Sequence, residues 1–381
     1  MNVSWQQAEN GLISACSYVP SAELCGPWDE LVTHAEGNAF MHPAALLAAA
    51  ETGFAKIHVL IAWDEAVEPH CPVGFWALRE GRNLLASPAF LEAIPYNYAF
   101  TSNAVVDRAR TDEVVAAFFE LIRRDPRLPK VIRLQSFEAD PVVYPAMLRQ
   151  LEGRGQYREL VRVERAFVDS GAGIKKSGST RKKLRQDWNR LSATGRVEIV
   201  NGRTPAETRA AFETFLALEA ASWKGKQGTA LLCNAGDARF ARQLIGDFAA
   251  LDLASVALLH VDGVAIAAQV LIFSGRRAYT WKTAFDAAFA GFSPGALLIS
   301  KITEELLESG QVDTIDSCSS ADGIMSQLWT GRRTMVDTLI DVRARNPLAF
   351  AMKVAEHQGY QKFRHVRGRI WHAVRRPRKG T

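Results

Sequence analysis

Ala278-Tyr279-Thr280-Trp281-Lys282-Thr283-Ala284-Phe285, followed shortly by Phe292-Ser293-Pro294-Gly295, is the stretch whose reading decides the fold. The first run alternates and is rich in aromatic and β-branched residues, so it reads as a strand. The second opens a helix: proline suits a first turn, and the apolar positions after it continue to Gly310, a glycine placed as a C-cap. Working backward, Ser274-Gly275 turns into a strand over Val264 to Phe273, and Asp262-Gly263 is a two-residue hairpin signal joining it to Ser255 to Val261. Upstream, a helix near Asp237 carries the stripe Phe240, Leu244, Phe248 and Leu251. Another starts at Thr204-Pro205-Ala206-Glu207, with Phe212, Leu216, Glu219 and Trp223 at helical spacing. A short strand, Val197 to Val200, precedes them. Downstream, a strand over Val312 to Ser317, a short helix over Asp322 to Trp329 and a closing strand over Thr334 to Val342 complete the order β-α-α-β-β-β-α-β-α-β.

The first half repeats this plan. Helices near Trp28 to Ala35 and Pro43 to Glu51 precede strands over Ile57 to Trp63 and Val73 to Arg79, with a third near Asn83 to Ala86. A helix over Asp112 to Arg123, a strand over Val131 to Phe137, a helix over Val142 to Leu151 and a strand over Glu159 to Val168 follow. The fold class expected is α/β, with tandem units that each form a mixed, mostly antiparallel sheet flanked by helices. The boundary falls at Ser170-Gly171-Ala172-Gly173, giving units at 1–170 and 175–345 and a basic helical tail at 346–381.

At 381 residues the chain is long for one core, and 48% hydrophobic with 23% charged residues is a globular composition. The most apolar window, Ser255 to Phe273, is interrupted by His260, Asp262-Gly263 and Gln269, which fits two strands rather than a membrane span. The N-terminus shows no secretory pattern, and five scattered cysteines argue for reduced thiols, so the expected location is cytoplasmic. No Cys/His cluster has metal-binding spacing; His70-Cys71 reads as an ordinary loop, and no metal is expected. The net charge of +5 is local: Lys175 to Arg190 and Lys362 to Lys379 hold fifteen basic residues against Asp187 alone. The remainder is net acidic.

Three stretches resemble a known family. They are Ser179-Thr180-Arg181-Lys182-Lys183-Leu184-Arg185 with Arg190-Leu191 and Gly195; Leu218-Glu219 with Ser222-Trp223-Lys224-Gly225 and Gly228-Thr229-Ala230; and Tyr279 through Lys282 and Phe285-Asp286 to Phe292-Ser293-Pro294-Gly295 and Leu297-Leu298. Over residues 175 to about 345 the chain resembles the CelD-like, FemAB-related GNAT acyltransferases often encoded beside bacterial exopolysaccharide or cellulose genes. The resemblance implies transfer from acyl-CoA or acetyl-CoA to an amine or hydroxyl of a saccharide acceptor. It implies a donor arm laid between the fourth and fifth strands, Ala278 to Phe285 and Val312 to Ser317, and a diphosphate at the N-terminus of the following helix. Tyr279, Trp281, Phe292, Ser293, Pro294 and Gly295 would then line the donor site. The family's phosphate loop, Gln/Arg-x-x-Gly-x-Gly/Ala, is not reproduced by Ala290 to Gly295. That leaves CoA bound in an altered manner, or an aminoacyl-tRNA donor as in the FemAB branch.

Candidate site groups follow from position. Glu219 shares the inward helix stripe and could act as the base that acyl transfer to an amine needs; its plain reading is a carboxylate paired with arginine or lysine. Lys282 sits mid-strand among aromatics, where it meets an anion or lies on the wet face of an edge strand. Asp316 stands at the end of the fifth strand, as base, substrate orienter or helix cap. Cys318 has no histidine in a companion motif and reads as no nucleophile. Trp223 and Lys224 enter a glycine-rich loop that could form a lip over an acceptor, unless the indole simply packs. Tyr96 and Tyr98 are placed in the acceptor cleft between the halves. The basic helix from Thr180 reads as an amphipathic surface helix with a solvated face. The tail, with Arg364, Arg367, Arg369, Arg375, Arg376, Arg378 and Lys379 among Phe363, Val366, Ile370, Trp371 and Val374, suits an anionic membrane surface, RNA, or docking on the core.

Overall fold

The computed structural model describes residues 13–359, apart from 82–87, 140–141, 170, 172, 176, 320–322 and 344–347. The first half runs β1 (Ile13–Tyr18), α1 (Cys25–Leu31), α2 (Pro43–Glu51), β2 (Ile57–Asp64), β3 (Cys71–Glu80), β4 (Leu91–Glu92), β5 (Val105–Val106), α3 (Thr111–Arg124), β6 (Val131–Glu138), α4 (Val143–Leu151) and β7 (Gln156–Asp169). The second runs α5 (Ser179–Ser192), β8 (Val197–Val200), α6 (Pro205–Ala221), α7 (Trp223–Lys226), α8 (Ala235–Ala250), β9 (Ala254–Val261), β10 (Val264–Ser274), β11 (Arg277–Phe285), α9 (Pro294–Glu308), β12 (Thr314–Asp316), α10 (Ile324–Leu328) and β13 (Gly331–Asp341). A last helix, α11, spans 348–359.

Local chemistry sets the boundaries. Thr204 and Glu207 form a capping box that starts α6, with Pro205 in its first turn. Asn234 caps α8, which begins at Ala235, two residues ahead of the expected start, the Asn234 side chain accepting from the Gly236 and Asp237 amides. The β9–β10 turn is built on Asp262 and Gly263, both at positive φ (48° and 82°), as a tight hairpin requires. The strand expected near Asn83 to Ala86 lies outside the described residues. The short β4 supplies the fourth strand of that half.

The strands form one continuous sheet in the order β1-β2-β3-β4-β6-β13-β7-β12-β11-β10-β9-β8, with β5 beside β3. Neighbours are antiparallel except β4 with β6 and β11 with β12, one parallel pair per half. The closing strand corrects the expectation. β13 does not end the second half's own strands but lies between β6 and β7, and β7 reaches across to pair with β12. The two halves thus exchange their last strands. The physical reason is length: β13 finds ladder partners along its whole run on β7, from Gly331↔Phe167 to Asp341↔Gln156, whereas β12 offers only three residues.

One large apolar core lies under α1 to α4 and continues beneath α6 and α8 against one face of the second half, including Phe212, Phe240, Tyr279 and Trp281. A second core fills the other face, between β9 to β12 and α5, α9 and α10. The start of the basic tail docks: Phe350 of α11 packs with Phe90, Val131 and Leu339, and the Lys353 ammonium sits 4.0 Å from the Phe90 ring centre. The arginine-rich remainder from 360 lies outside the described residues. No helix among the described residues is long and apolar enough to cross a membrane.

Candidate active site

β11 and β12 run side by side only briefly. Arg277, Ala278 and Tyr279 pair with Thr314, Ile315 and Asp316, and there β12 ends while β11 continues to Phe285. At the fork Thr280 Oγ1 donates to the Asp316 carbonyl (3.1 Å) and the Ser317 carbonyl (2.8 Å). On its other edge β11 pairs with β10, but the register slips so that Trp281 is an extra residue. Such a bulge twists a strand away from its neighbour and turns two successive side chains to one face. Here it sends Trp281 and Lys282 toward α6, α8 and the first half.

Those two residues enter a charged and aromatic cluster. Glu219, 1% exposed at the end of α6, accepts from the Leu231 amide (2.9 Å) and from Lys224 Nζ (3.0 Å), with Lys282 Nζ 3.8 Å away. Lys224 Nζ also lies 3.3 Å from the Thr283 carbonyl of β11. The Lys282 ammonium stands 4.5 Å from the Tyr98 ring centre and 5.6 Å from that of Trp281. Trp281 Nε1 donates to the Tyr98 carbonyl (2.9 Å), and Tyr98 Oη donates to Asp237 Oδ2 (2.6 Å). Burial pushes the Lys282 pKa down to about 8, against the attraction of Glu219 and together with the repulsion of Lys224. Burial, the bond to Asp237 and the nearby carboxylates push the Tyr98 phenol up. The arrangement holds a carboxylate rigidly between two amines, one of which is partly neutral near neutral pH, behind aromatic walls.

The other wall of the fork is the start of α9. Ser293 is left-handed (φ 52°) and its carbonyl takes the amides of both Ala296 and Leu297, while Pro294 has none to give. Gly295 N–H is the amide the first turn still offers. A Cβ on Gly295 would stand 3.4 Å from Thr283 Cγ2 and 3.5 Å from Phe285 Cδ1, so the helix start sits directly over β11. The charged face of α5 is exposed, as expected of it, and two of its cations reach over to this helix start. Lys183 Nζ donates to Ser293 Oγ (2.8 Å) and pairs with Asp187; Arg190 reaches the Gly291 carbonyl (3.4 Å) and covers the Phe292 ring at 5.0 Å. Burial pushes the Asp187 carboxyl up, but hydrogen bonds from Lys183 and Ser293 and the charges of Lys183 and Arg190 outweigh it and hold it low.

Of the residues singled out in the sequence, Glu219, Lys282, Lys224, Trp281 and Tyr98 meet in one place, and Phe292 to Gly295 form the helix start. The others fall elsewhere. Tyr96 is fully buried against Phe240, a core residue rather than a cleft wall. Trp223 is 56% exposed, because the chain is extended at Ser222 and the helical stripe does not carry through it. Asp316 belongs to a separate buried network: it caps the Cys318 amide (2.8 Å) and faces Arg165 (3.7 Å) and Arg333 (3.5 Å), contributed by the exchanged strands β7 and β13. Tyr279 is buried beneath Phe40 at the foot of the fork. Asp237, Lys183, Asp187 and Arg190 were not among the site groups expected; the basic run held the signal for three of them.

Residues 178–323, in the second half of the chain, match the family described as acetyltransferase (GNAT) domain. No curated protein matches the chain. Among solved structures the chain is similar to FemX, with 11% identity, 87% of this chain and 98% of that one covered and a TM-score of 0.57. It is also similar to L-PGS from Bacillus licheniformis (12% identity, 87% and 96% covered, TM-score 0.53). The C-terminal domain of an Agrobacterium fabrum protein assigned as a lysylphosphatidylglycerol synthetase is comparable (15% identity, 88% and 96% covered, TM-score 0.52). At these identities the likeness is one of fold, and it runs through both halves.

Proposed function

We propose that the chain is an acyltransferase that moves an acyl group from acyl-CoA or acetyl-CoA to an amine or hydroxyl of a cell-surface saccharide or its precursor. The observation that supports this best is the fork between β11 and β12, with the Glu219–Lys282–Lys224 cluster on one side and the α9 start on the other. Gly295 N–H, Lys183 and Arg190 are the groups suited to the donor's diphosphate. An exposed β11 edge suits the amide carbonyls of its arm. The thioester supplies an activated carbonyl. Lys282 Nζ, in its neutral form, takes the proton from the acceptor's N–H or O–H as that atom attacks, and Glu219 stabilises the ammonium so formed. Burial shields the amine from water and lowers its basicity despite the pull of Glu219, so that part of it is free near neutral pH. The saccharide acceptor rests on the family resemblance in the sequence alone.

A second reading, an aminoacyl-tRNA donor, is favoured by one observation: α5 carries the exposed cations Lys182, Lys183, Arg185 and Arg190, of which Lys183 and Arg190 reach the same helix start. Thermal-shift measurements separate the readings, because a ligand that binds only the folded state raises its melting temperature. Acetyl-CoA or a longer acyl-CoA should stabilise the wild-type protein, and Gly295→Trp should abolish the shift. Stabilisation by charged tRNA alone, lost steeply with salt, would favour the second reading. No shift with any donor would count against both and favour a third reading, a non-catalytic component of a polysaccharide synthase complex.

A further inference from the structure

At the opposite end of β11 from the fork, a cavity of about 710 Å³ opens between the two halves of the chain. Arg277, at that end, is five residues from Lys282, roughly 16 Å along a strand at about 3.3 Å per residue, so the cavity is a separate place. Trp28 of α1, with Val32 and Ala35 just beyond it, forms one wall; Leu251 and Leu253, after α8, form the facing wall. Its volume lies in the range of small-molecule sites, about 300–1,000 Å³. Of the charges at its rim, Arg276 grips Asp313 with two bonds of 2.6 Å and Arg277 pairs with Glu36, while Asp29 lies exposed to solvent. Neither pair therefore selects a charged guest.

One buried polar side chain stands among these apolar walls. His42, 9% exposed, lines the cavity, its ring wedged edge-on between Trp28 and Phe248. Its Nδ1 accepts from the Ala44 amide (3.2 Å) as the cap of α2. That bond fixes the tautomer, leaving Nε2–H as the ring's remaining donor. Burial pushes the ring's pKa down to about 4, which keeps it neutral through the physiological range.

We propose that this cavity binds a neutral, mostly apolar small molecule bearing one hydrogen-bond acceptor, and that His42 Nε2–H recognises the acceptor. The site goes beyond the acyl-transfer reading and needs no acyl donor, so its test is run without one.

Cys25 lines the same cavity and Cys233 is exposed elsewhere, so alkylation by iodoacetamide, followed peptide by peptide, reports on the site with an internal control. Propiophenone and propylbenzene serve as probes, near-isosteres that differ by one carbonyl. Propiophenone should slow alkylation of Cys25 severalfold and leave Cys233 unchanged. Propylbenzene should need a concentration about two- to tenfold higher for the same protection, the worth of one net hydrogen bond. In His42→Asn, whose shorter side chain can still cap α2, the two probes should become equal. Val32→Trp, which fills the cavity, should remove protection by both. Unchanged Cys25 alkylation at the solubility limit of propiophenone would overturn the site. Equal protection by the two probes in the wild type would overturn the role of His42, and that comparison holds even if Val32→Trp fails to fold.

Discussion

At Lys282 the cost of burying a charge becomes a measurable function of pH. Its folded pKa of about 8 lies below the ordinary 10.5. Below pH 8 both folded and unfolded chains carry the proton, and the folded one bears the full burial penalty. As pH rises from 8 toward 10.5 the folded chain has shed the proton and the unfolded chain has not, so stability is gained across that window. The melting temperature of the wild type relative to Lys282→Met should therefore climb between pH 7.5 and 10; a flat difference would show an unperturbed lysine. The same substitution should lower acyl transfer about 100-fold or more, the usual worth of a general base. Glu219 and Lys282 were legible in the sequence because a carboxylate on an apolar helix stripe and a lysine among strand aromatics break their local patterns. Tyr98 was reached only by position, and Asp237 not at all, since their contact joins residues 139 apart. Asp316 looked equally eligible in the sequence, but the arginines that occupy it come from β7 and β13, whose meeting no local pattern announces.

Among the elements, punctuation was the reliable guide. The Thr204 capping box, the Asp262-Gly263 turn and Gly310 at the end of α9 stand where the chain's own chemistry puts them. Thr204→Ala should lower stability by about 1 kcal/mol in urea unfolding, a typical value for a lost N-cap. What an amphipathic pattern does not say is what the polar face meets. From the exposed face of α5, Lys183 and Arg190 reach the α9 start, bonding Ser293 Oγ and the Gly291 carbonyl. Lys183→Met should thus weaken acyl-CoA binding about three- to tenfold at low salt, and less at 0.5 M salt, where exposed charges are screened. An unchanged affinity would leave α9 to hold the diphosphate alone.

Across the whole molecule, the tandem plan was readable as two passes through one element order, but the exchange of last strands was not. Strand order within a sheet depends on which ladders satisfy the most backbone, and that is decided by pairing lengths far apart in the chain. Because β13 bridges β6 and β7, ending the chain after Thr330 should disrupt both halves, seen as loss of the cooperative unfolding transition rather than a modest shift in its midpoint. The exchange also sets β7 against β12, so the fork between β12 and β11 opens one strand away from the first half's last strand. The account stands on that fork being the donor site, and amide hydrogen exchange with and without acetyl-CoA tests it most directly. Acetyl-CoA should slow exchange in residues 280–285 and at Gly295, leaving β9 unchanged. Protection elsewhere with these amides unaffected, or no protection at saturating acetyl-CoA, would contradict it.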